Sequence, residues 1–280
     1  EPMSPIRQSV AQKVRFVRSL TKGLGRGDFF PSDGRRQPGS APLGSQSDPI
    51  SASLLRRVRG ETGWFQRTFH RVEVPGLGAS IRVLHLTDVH IKGPSPWLDR
   101  LCESIQQEEA DLIAITGDVV TKGWTEGAVD QFLSSLPSAP LGAVAVMGNW
   151  EHWSGADAQR WGEICSRHEV TLLQNSWTQR GDLIVAGTDD HLAGEADIGA
   201  TMAGIPTDAP VLMLTHSPGF FERLSHHPVH LVLSGHSHGG QVRLPILGAA
   251  WVPKGTDDRV AGWYESNGRH LFVSRGIGWS

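Results

Sequence analysis

From about residue 69 the chain falls into short apolar runs, each ending in polar residues and separated by stretches with helical spacing. The runs predict strands over 70–75, 81–87, 111–116, 142–147, 182–187, 210–215, 229–234 and 269–274. Apolar residues recurring every three or four positions predict helices near 95–109, 124–135, 155–168 and 217–225. Several of these follow Ser, Thr or Pro, residues suited to a helix start. Strands alternating with helices favour a layered α/β domain with a largely buried sheet. No internal repeat is visible.

The first quarter of the chain is patterned differently. Ile6, Val10, Val14, Val17, Leu20 and Leu24 recur at helical intervals, while Arg7, Arg15, Arg18 and Lys22 fall mostly off that stripe. The spacing predicts a basic amphipathic helix over 5–26, which could rest on an anionic membrane surface or simply be a solvated or docked end. Residues 27–50 are rich in Gly, Pro, Ser and Asp and read as flexible, so a linker is expected over 27–68. Arg56, Arg57 and Arg59 make a second basic patch, but Trp64 and Phe65 beside it read as the start of the packed domain, 69–280.

Charge sharpens this division. Residues 1–71 carry 13 Lys and Arg against 5 Asp and Glu, whereas 72–280 carry 13 against 24, so a basic beginning precedes an acidic domain. That balance argues against an extended nucleic-acid track, because phosphate backbones demand cationic contacts. No apolar run is long enough to span a bilayer and no signal-peptide core is present, which points to a cytoplasmic or peripheral inner-membrane protein. The chain starts at Glu1 and stops at Gly278-Trp279-Ser280, just after a predicted strand, so both ends are expected to be incomplete and secretion stays open. Cys102 and Cys165 lack CxxC spacing and sit in helical patterning, as buried reduced thiols do.

Chemistry gathers at the strand ends. Leu231-Val232-Leu233-Ser234 runs into Gly235-His236-Ser237-His238-Gly239-Gly240, and an extended backbone there would put both imidazoles on one side. The run over 82–87 ends in Asp88-Val89-His90, that over 112–116 in Gly117-Asp118, that over 144–147 in Gly148-Asn149, and that over 211–215 in His216. Each residue alone has an ordinary reading as a cap, a turn or a packed histidine. Five strands finishing in Asp, His or Asn make a different case, because sites in α/β sheets form at the carboxyl ends of strands. Carboxylates and imidazoles gathered without enough basic residues call for divalent cations.

The ordered set Asp88-x-His90, Gly117-Asp118, Gly148-Asn149, His216 and Gly235-His236-x-His238 resembles the calcineurin-like metallophosphoesterases over roughly 70–275. Gly187-Thr188-Asp189-Asp190, the wording of 235–241 and Val273-Ser274-Arg275-Gly276 are similar to its bacterial phosphodiesterase branch, which includes UDP-2,3-diacylglucosamine pyrophosphate hydrolases. The resemblance implies a four-layer αββα sandwich with two mixed sheets. It implies that Asp88, His90 and His238 hold one metal, that Asn149, His216 and His236 hold a second, and that Asp118 bridges them. Such mixed oxygen and nitrogen ligation admits Mn²⁺, the first choice, as well as Fe or Zn²⁺. Two ions roughly 3.5–4 Å apart would then cleave a phosphodiester or pyrophosphate through a metal-bridging hydroxide.

One position departs from that pattern. Many relatives carry His after the Asn, whereas this chain has Trp150, which removes the expected proton donor. His152 is the candidate acid in its place, and its alternative is a surface or supporting histidine. A leaving group of low pKa needs protonation less, so Trp150 tilts the reading towards pyrophosphates or activated diesters, including a lipid-linked nucleotide sugar. The alternatives are a phosphomonoesterase or nuclease on the same metal core, and a metal-binding scaffold that has lost catalysis. Glu151 reads as a solvent-facing carboxylate or as a support for a ligand histidine. Segment 188–204, with Asp189, Asp190, His191, Glu195 and Asp197, reads as a loop and short helix shaping access. Trp153, Trp161 and Trp177 read mostly as core, with a groove for a lipid chain as the alternative.

Overall fold

The protein was analysed as a computed structural model, which describes residues 65–240 and 253–278 together with the backbone of strand segments at 13–22, 46–47, 242–244 and 248–251. The predicted strands are all present, with ends shifted by a few residues. In chain order the strands are β1 (Lys13–Lys22), β2 (Gln46–Ser47), β3 (Phe65–Glu73), β4 (Arg82–Leu86), β5 (Leu112–Thr116), β6 (Ala143–Val146), β7 (Val170–Leu172), β8 (Ser176–Arg180), β9 (Leu183–Gly187), β10 (Val211–Leu214), β11 (Leu231–Ser234), β12 (Val242–Leu244), β13 (Gly248–Trp251), β14 (Gly262–Ser266) and β15 (Arg269–Val273). The helices are α1 (Pro96–Gln106), α2 (Glu126–Ser134), α3 (Asn149–Trp153), α4 (Ala158–Arg167) and α5 (Ile198–Met202).

Two mixed sheets stack face to face. One runs β2-β3-β1-β4-β5-β6-β7 and the other β14-β15-β11-β10-β9-β8, while β12 and β13 form a separate pair. Alternation along each strand decides which layer a side chain joins. Leu112, Ala114, Val144 and Val146 of the first sheet meet Val185, Leu212, Leu214, Leu231, Leu233 and Phe272 of the second in the central layer. Their neighbours Ile113, Ile115 and Ala145 face outward onto α1, α2 and α4 through Leu101, Ile105, Phe132 and Trp161. Val211, Met213, Val232 and Leu271 face the opposite way, onto Phe220, Phe221 and Leu224. The result is two sheets flanked by helical layers, the sandwich anticipated from the resemblance.

Helix starts follow local chemistry. Ser95 caps α1 by accepting the Leu98 N–H at 3.2 Å, and Asp157 caps α4 by accepting that of Arg160 at 2.8 Å. The predicted helix over 217–225 is instead a 3-10 helix, Pro218–Leu224. Cys102 and Cys165 are free and buried.

The basic beginning requires a correction. Lys13–Lys22, expected within an amphipathic helix over 5–26, forms β1, paired antiparallel to β3 and parallel to β4. A register shift between Val14 and Val17 lies within the apolar stripe, and its three-residue step imitates part of a helix turn. With both backbone edges hydrogen-bonded in a sheet, this segment is not an interfacial helix. Residues 5–12 and 23–26 lie outside the described residues. Within the expected linker 27–68, Gln46–Ser47 pairs with Phe69 and Thr68, and β3 begins at Phe65, four residues before the anticipated boundary. Among the described residues no helix is long and apolar enough to cross a membrane.

Candidate metal centre

Parallel strands β4, β5 and β6 of one sheet and β10 and β11 of the other deliver their carboxyl ends to one place. Asp88, His90, Asp118 and His238 each offer an atom within 4.8 Å of the others, and so do Asp118, His216 and His236. Asp118 belongs to both groups. Asn149, the first residue of α3, joins the second group through Oδ1, which is 3.1 Å from His216 Nε2. All seven residues anticipated from the sequence therefore converge, and all are buried.

The backbone that presents them is unusual. Asp88, His90, Asp118, His236 and His238 all have positive φ, between 49° and 66°. His236 and His238 thus do not sit on an extended backbone, as expected, but in the left-handed region on either side of Ser237. Such conformations cost of order 1–3 kcal/mol each and persist where surrounding contacts enforce them. Here the ladder continues past the strand ends: Asp88 N–H donates to Gly117 O at 3.0 Å, His90 N–H to Asp118 O at 3.1 Å, and Gly235 N–H to His216 O at 3.0 Å.

Supporting bonds aim the side chains. His216 donates from Nδ1 to Thr116 O at 2.7 Å, turning Nε2 towards Asp118 Oδ2 at 3.2 Å. His236 donates from Nε2 to Lys254 O at 2.8 Å, leaving Nδ1 3.2 Å from His216 Nε2. Asp88 accepts Thr87 Oγ1–H at 2.9 Å and the His236 N–H at 3.0 Å, and Asp118 accepts the Trp150 N–H at 2.8 Å. Fixing one imidazole nitrogen with a carbonyl and exposing the other is the arrangement that metal-ligating histidines use.

The donor set fits cations. His90 Nε2 and His238 Nε2 are 2.9 Å apart and can share at most one proton. His238 Nε2 lies 3.4 Å from Asp88 Oδ1, and His90 Nε2 lies 3.9 Å from Asp118 Oδ2. Among the described residues no Lys or Arg pairs with either carboxylate. Burial pushes Asp88 up to about 6, with the attraction of His216 working against it. Burial opposes ionisation of Asp118 too, but the charge and hydrogen bond of His216 outweigh it and hold the carboxyl well below its usual range. Burial likewise disfavours a charged His216, yet Asp118 and Asp88 raise it well above an ordinary histidine. His236 is lowered to about 4, by burial first and by His216 second.

Two expectations around the centre change. Glu151 is fully buried rather than solvent-facing, and it supports backbone rather than a histidine. It accepts N–H groups from Gly148 at 2.7 Å, Asp118 at 2.9 Å, Val119 at 2.7 Å and Val120 at 3.3 Å. Burial and the nearby Asp118 raise it to about 7. Its place three residues after Gly148, at the start of a short helix, was the available signal. Trp153, expected in the core, is 61% exposed, whereas Trp161 is buried as expected. His152 is not among the grouped donors and places Nε2 2.8 Å from Asp189 Oδ1. Asp189, read from the sequence only as part of an access loop, is itself buried and accepts from Gln174 Nε2 and the Glu195 N–H at 3.0 Å each.

Residues 81–240 match the family described as calcineurin-like phosphoesterase. The phosphodiesterase YaeI of Escherichia coli (strain K12) is 30% identical over 230 residues, covering 78% of this chain and 83% of that protein. The metallophosphoesterase YkuE of Bacillus subtilis (strain 168) is 28% identical over 183 residues, 62% of this chain and 63% of that protein. The UDP-2,3-diacylglucosamine pyrophosphatase LpxG of Chlamydia trachomatis serovar D is 24% identical over 216 residues, 59% of this chain and 65% of that protein. The chain thus spans just under two thirds of the length of the last two.

Proposed function

Because this chain belongs to the calcineurin-like phosphoesterase family and is a metal-dependent hydrolase, we propose that it hydrolyses a phosphodiester or pyrophosphate bond at the centre formed by Asp88, His90, Asp118, Asn149, His216, His236 and His238. The observation that carries this reading is the pair of donor groups sharing Asp118. In it, Asp88, His90 and His238 would hold one divalent ion and Asn149, His216 and His236 the other, with Asp118 common to both donor groups. When bound, the ions polarise phosphoryl oxygens and supply a nucleophile from water at neutral pH.

The chain's own residues do the rest. Thr116 O and Lys254 O keep His216 and His236 in the tautomers that present the opposite nitrogen to a metal. Asn149 is anchored at the start of α3 and presents its amide oxygen without adding charge. His152, whose charged form the Asp189 hydrogen bond favours, is the proton donor to the leaving group through Nδ1. The name of the chlamydial relative supports a lipid-linked nucleotide sugar as the natural substrate, and the mixed donor set supports Mn²⁺.

The test is an activity panel on protein loaded with Mn²⁺, comparing a lipid-linked UDP-sugar, an aryl diester and an aryl monoester, with bound metal measured by elemental analysis. The expected result is turnover of the diester above the monoester and a loss of at least about 100-fold in Asp118→Asn, with less metal retained. Folded, metal-loaded protein that turns over neither diester nor pyrophosphate overturns the reading.

A further inference from the structure

Among the described residues, Trp153 is the one large hydrophobic side chain left exposed. It stands three residues after Trp150 on α3, the helix that opens with Asn149, so the two indoles share a helix face. Their centroids are 5.8 Å apart with planes at 73°, and Trp150 in turn meets the His90 ring edge-on at 6.0 Å. The backbone N–H of Trp150 donates to Asp118 Oδ1, which anchors the residue beside the donor groups. A continuous line of rings therefore runs from a candidate ligand to solvent.

We propose that Trp150 and Trp153 form a subsite for a flat aromatic substituent of the substrate, placed beside the phosphate. The inference rests on the phosphoesterase reading and extends it to a substrate class, phosphate esters that carry a planar aromatic ring. Two indoles at a steep angle offer one face and one edge, a corner in which a planar ring stacks on one wall and meets the other edge-on. A long acyl chain has less to lie on, since no other exposed large hydrophobic side chain among the described residues continues the surface. A single exposed indole is likewise far too small for a stable protein interface, which buries roughly 1,600 Å².

The experiment measures binding, so it does not depend on turnover. Protein loaded with Mn²⁺ is titrated calorimetrically with phenyl phosphate and with cyclohexyl phosphate, which differ in the flatness and π-character of the ring. The expected result is about tenfold tighter binding of the phenyl ester, the scale of one stacked ring. In Trp153→Ala the ratio should fall to within about twofold, and Trp153→Phe should keep part of it. Equal affinities in the wild type, or an unchanged ratio in Trp153→Ala, overturn the subsite. A parallel diester turnover assay keeps the two readings apart: failure there sinks the phosphoesterase reading, whereas turnover with equal affinities sinks only the aromatic platform.

Discussion

Glu151 accepts the Gly148 N–H at 2.7 Å through the same oxygen that takes the Asp118 N–H at 2.9 Å, so one buried carboxylate ties together the tips of β5 and β6. Its other oxygen takes Val119 N–H. Replacing it with Gln turns an NH₂ group towards backbone donors, leaving at least one of them unpaired in a dry site. Each such loss costs about 1–3 kcal/mol. Glu151→Gln should therefore lower the melting temperature and weaken metal binding by about 10–100-fold, the usual consequence of losing an outer support. Metal titration of the variant checks this, and wild-type affinity would remove the role assigned to the clamp.

Gly235 precedes His236 where a side chain has nowhere to go. A Cβ there would overlap Asp88 Oδ2 and Thr87 Oγ1, the carboxylate and the hydroxyl that positions it. Gly235→Ala should cost on the order of 1–3 kcal/mol by overpacking, and should reduce metal content together with activity because Asp88 must move. Gly127, inside α2 with open space where its Cβ would go, is the control. Gly127→Ala should be neutral or stabilising by up to about 1 kcal/mol. Melting curves and elemental analysis of both variants separate a local clash from a general intolerance of alanine.

The sequence revealed the centre because its donors occupy strand ends, where short apolar runs give way to polar residues. The packed layers were foreseen only through the resemblance, because strands buried on both faces, such as 112–116 and 231–234, are apolar throughout and do not announce which side each residue faces. β1 was hidden in part because the irregularity between Val14 and Val17 gives a helix-like step of three. Glu151 was legible only in part: its place three residues after Gly148 marks a helix start, but its bonds to the Asp118, Val119 and Val120 N–H groups are made by the fold and leave no trace in residue identity. The left-handed conformations of His236 and His238 were also unreadable, because no periodicity reports a backbone that leaves regular structure.

Trp263 donates its indole N–H to His70 Nδ1 at 3.0 Å in the layer between the sheets, where the His70 ring also packs on Phe272 at 4.5 Å. Burial lowers His70 to about 4 and the neighbouring His85 to about 3, so both are neutral in the folded protein. Charging His70 would place a proton against Trp263. The folded pKa is depressed below the unfolded 6.5, so the unfolded state binds the extra proton first as pH falls. Stability is full above pH 6.5 and declines as pH drops towards 4, by about 3 kcal/mol from His70 alone. Melting curves of wild type and His70→Phe across this range should converge as the pH falls. A constant difference would show that His70 carries no such linkage.

His152 and Asp189 make the last case. The Asp189 hydrogen bond is the main reason the His152 imidazole titrates above its ordinary value, with burial opposing it. Asp189 is itself held by Gln174, Glu195 and Asp190, so it fixes the ring as well as charging it. If this imidazolium protonates the leaving oxygen, its removal should matter in proportion to how badly that oxygen needs a proton. His152→Ala should barely change hydrolysis of a 4-nitrophenyl ester, while slowing an alkyl or unsubstituted phenyl ester by about 10²–10⁴-fold. Asp189→Asn should shift the alkaline fall in kcat to lower pH, because the proton is then held less firmly. A His152→Ala variant that slows every ester equally would assign the imidazole to binding rather than to proton transfer, and one that slows none would remove it from the reaction.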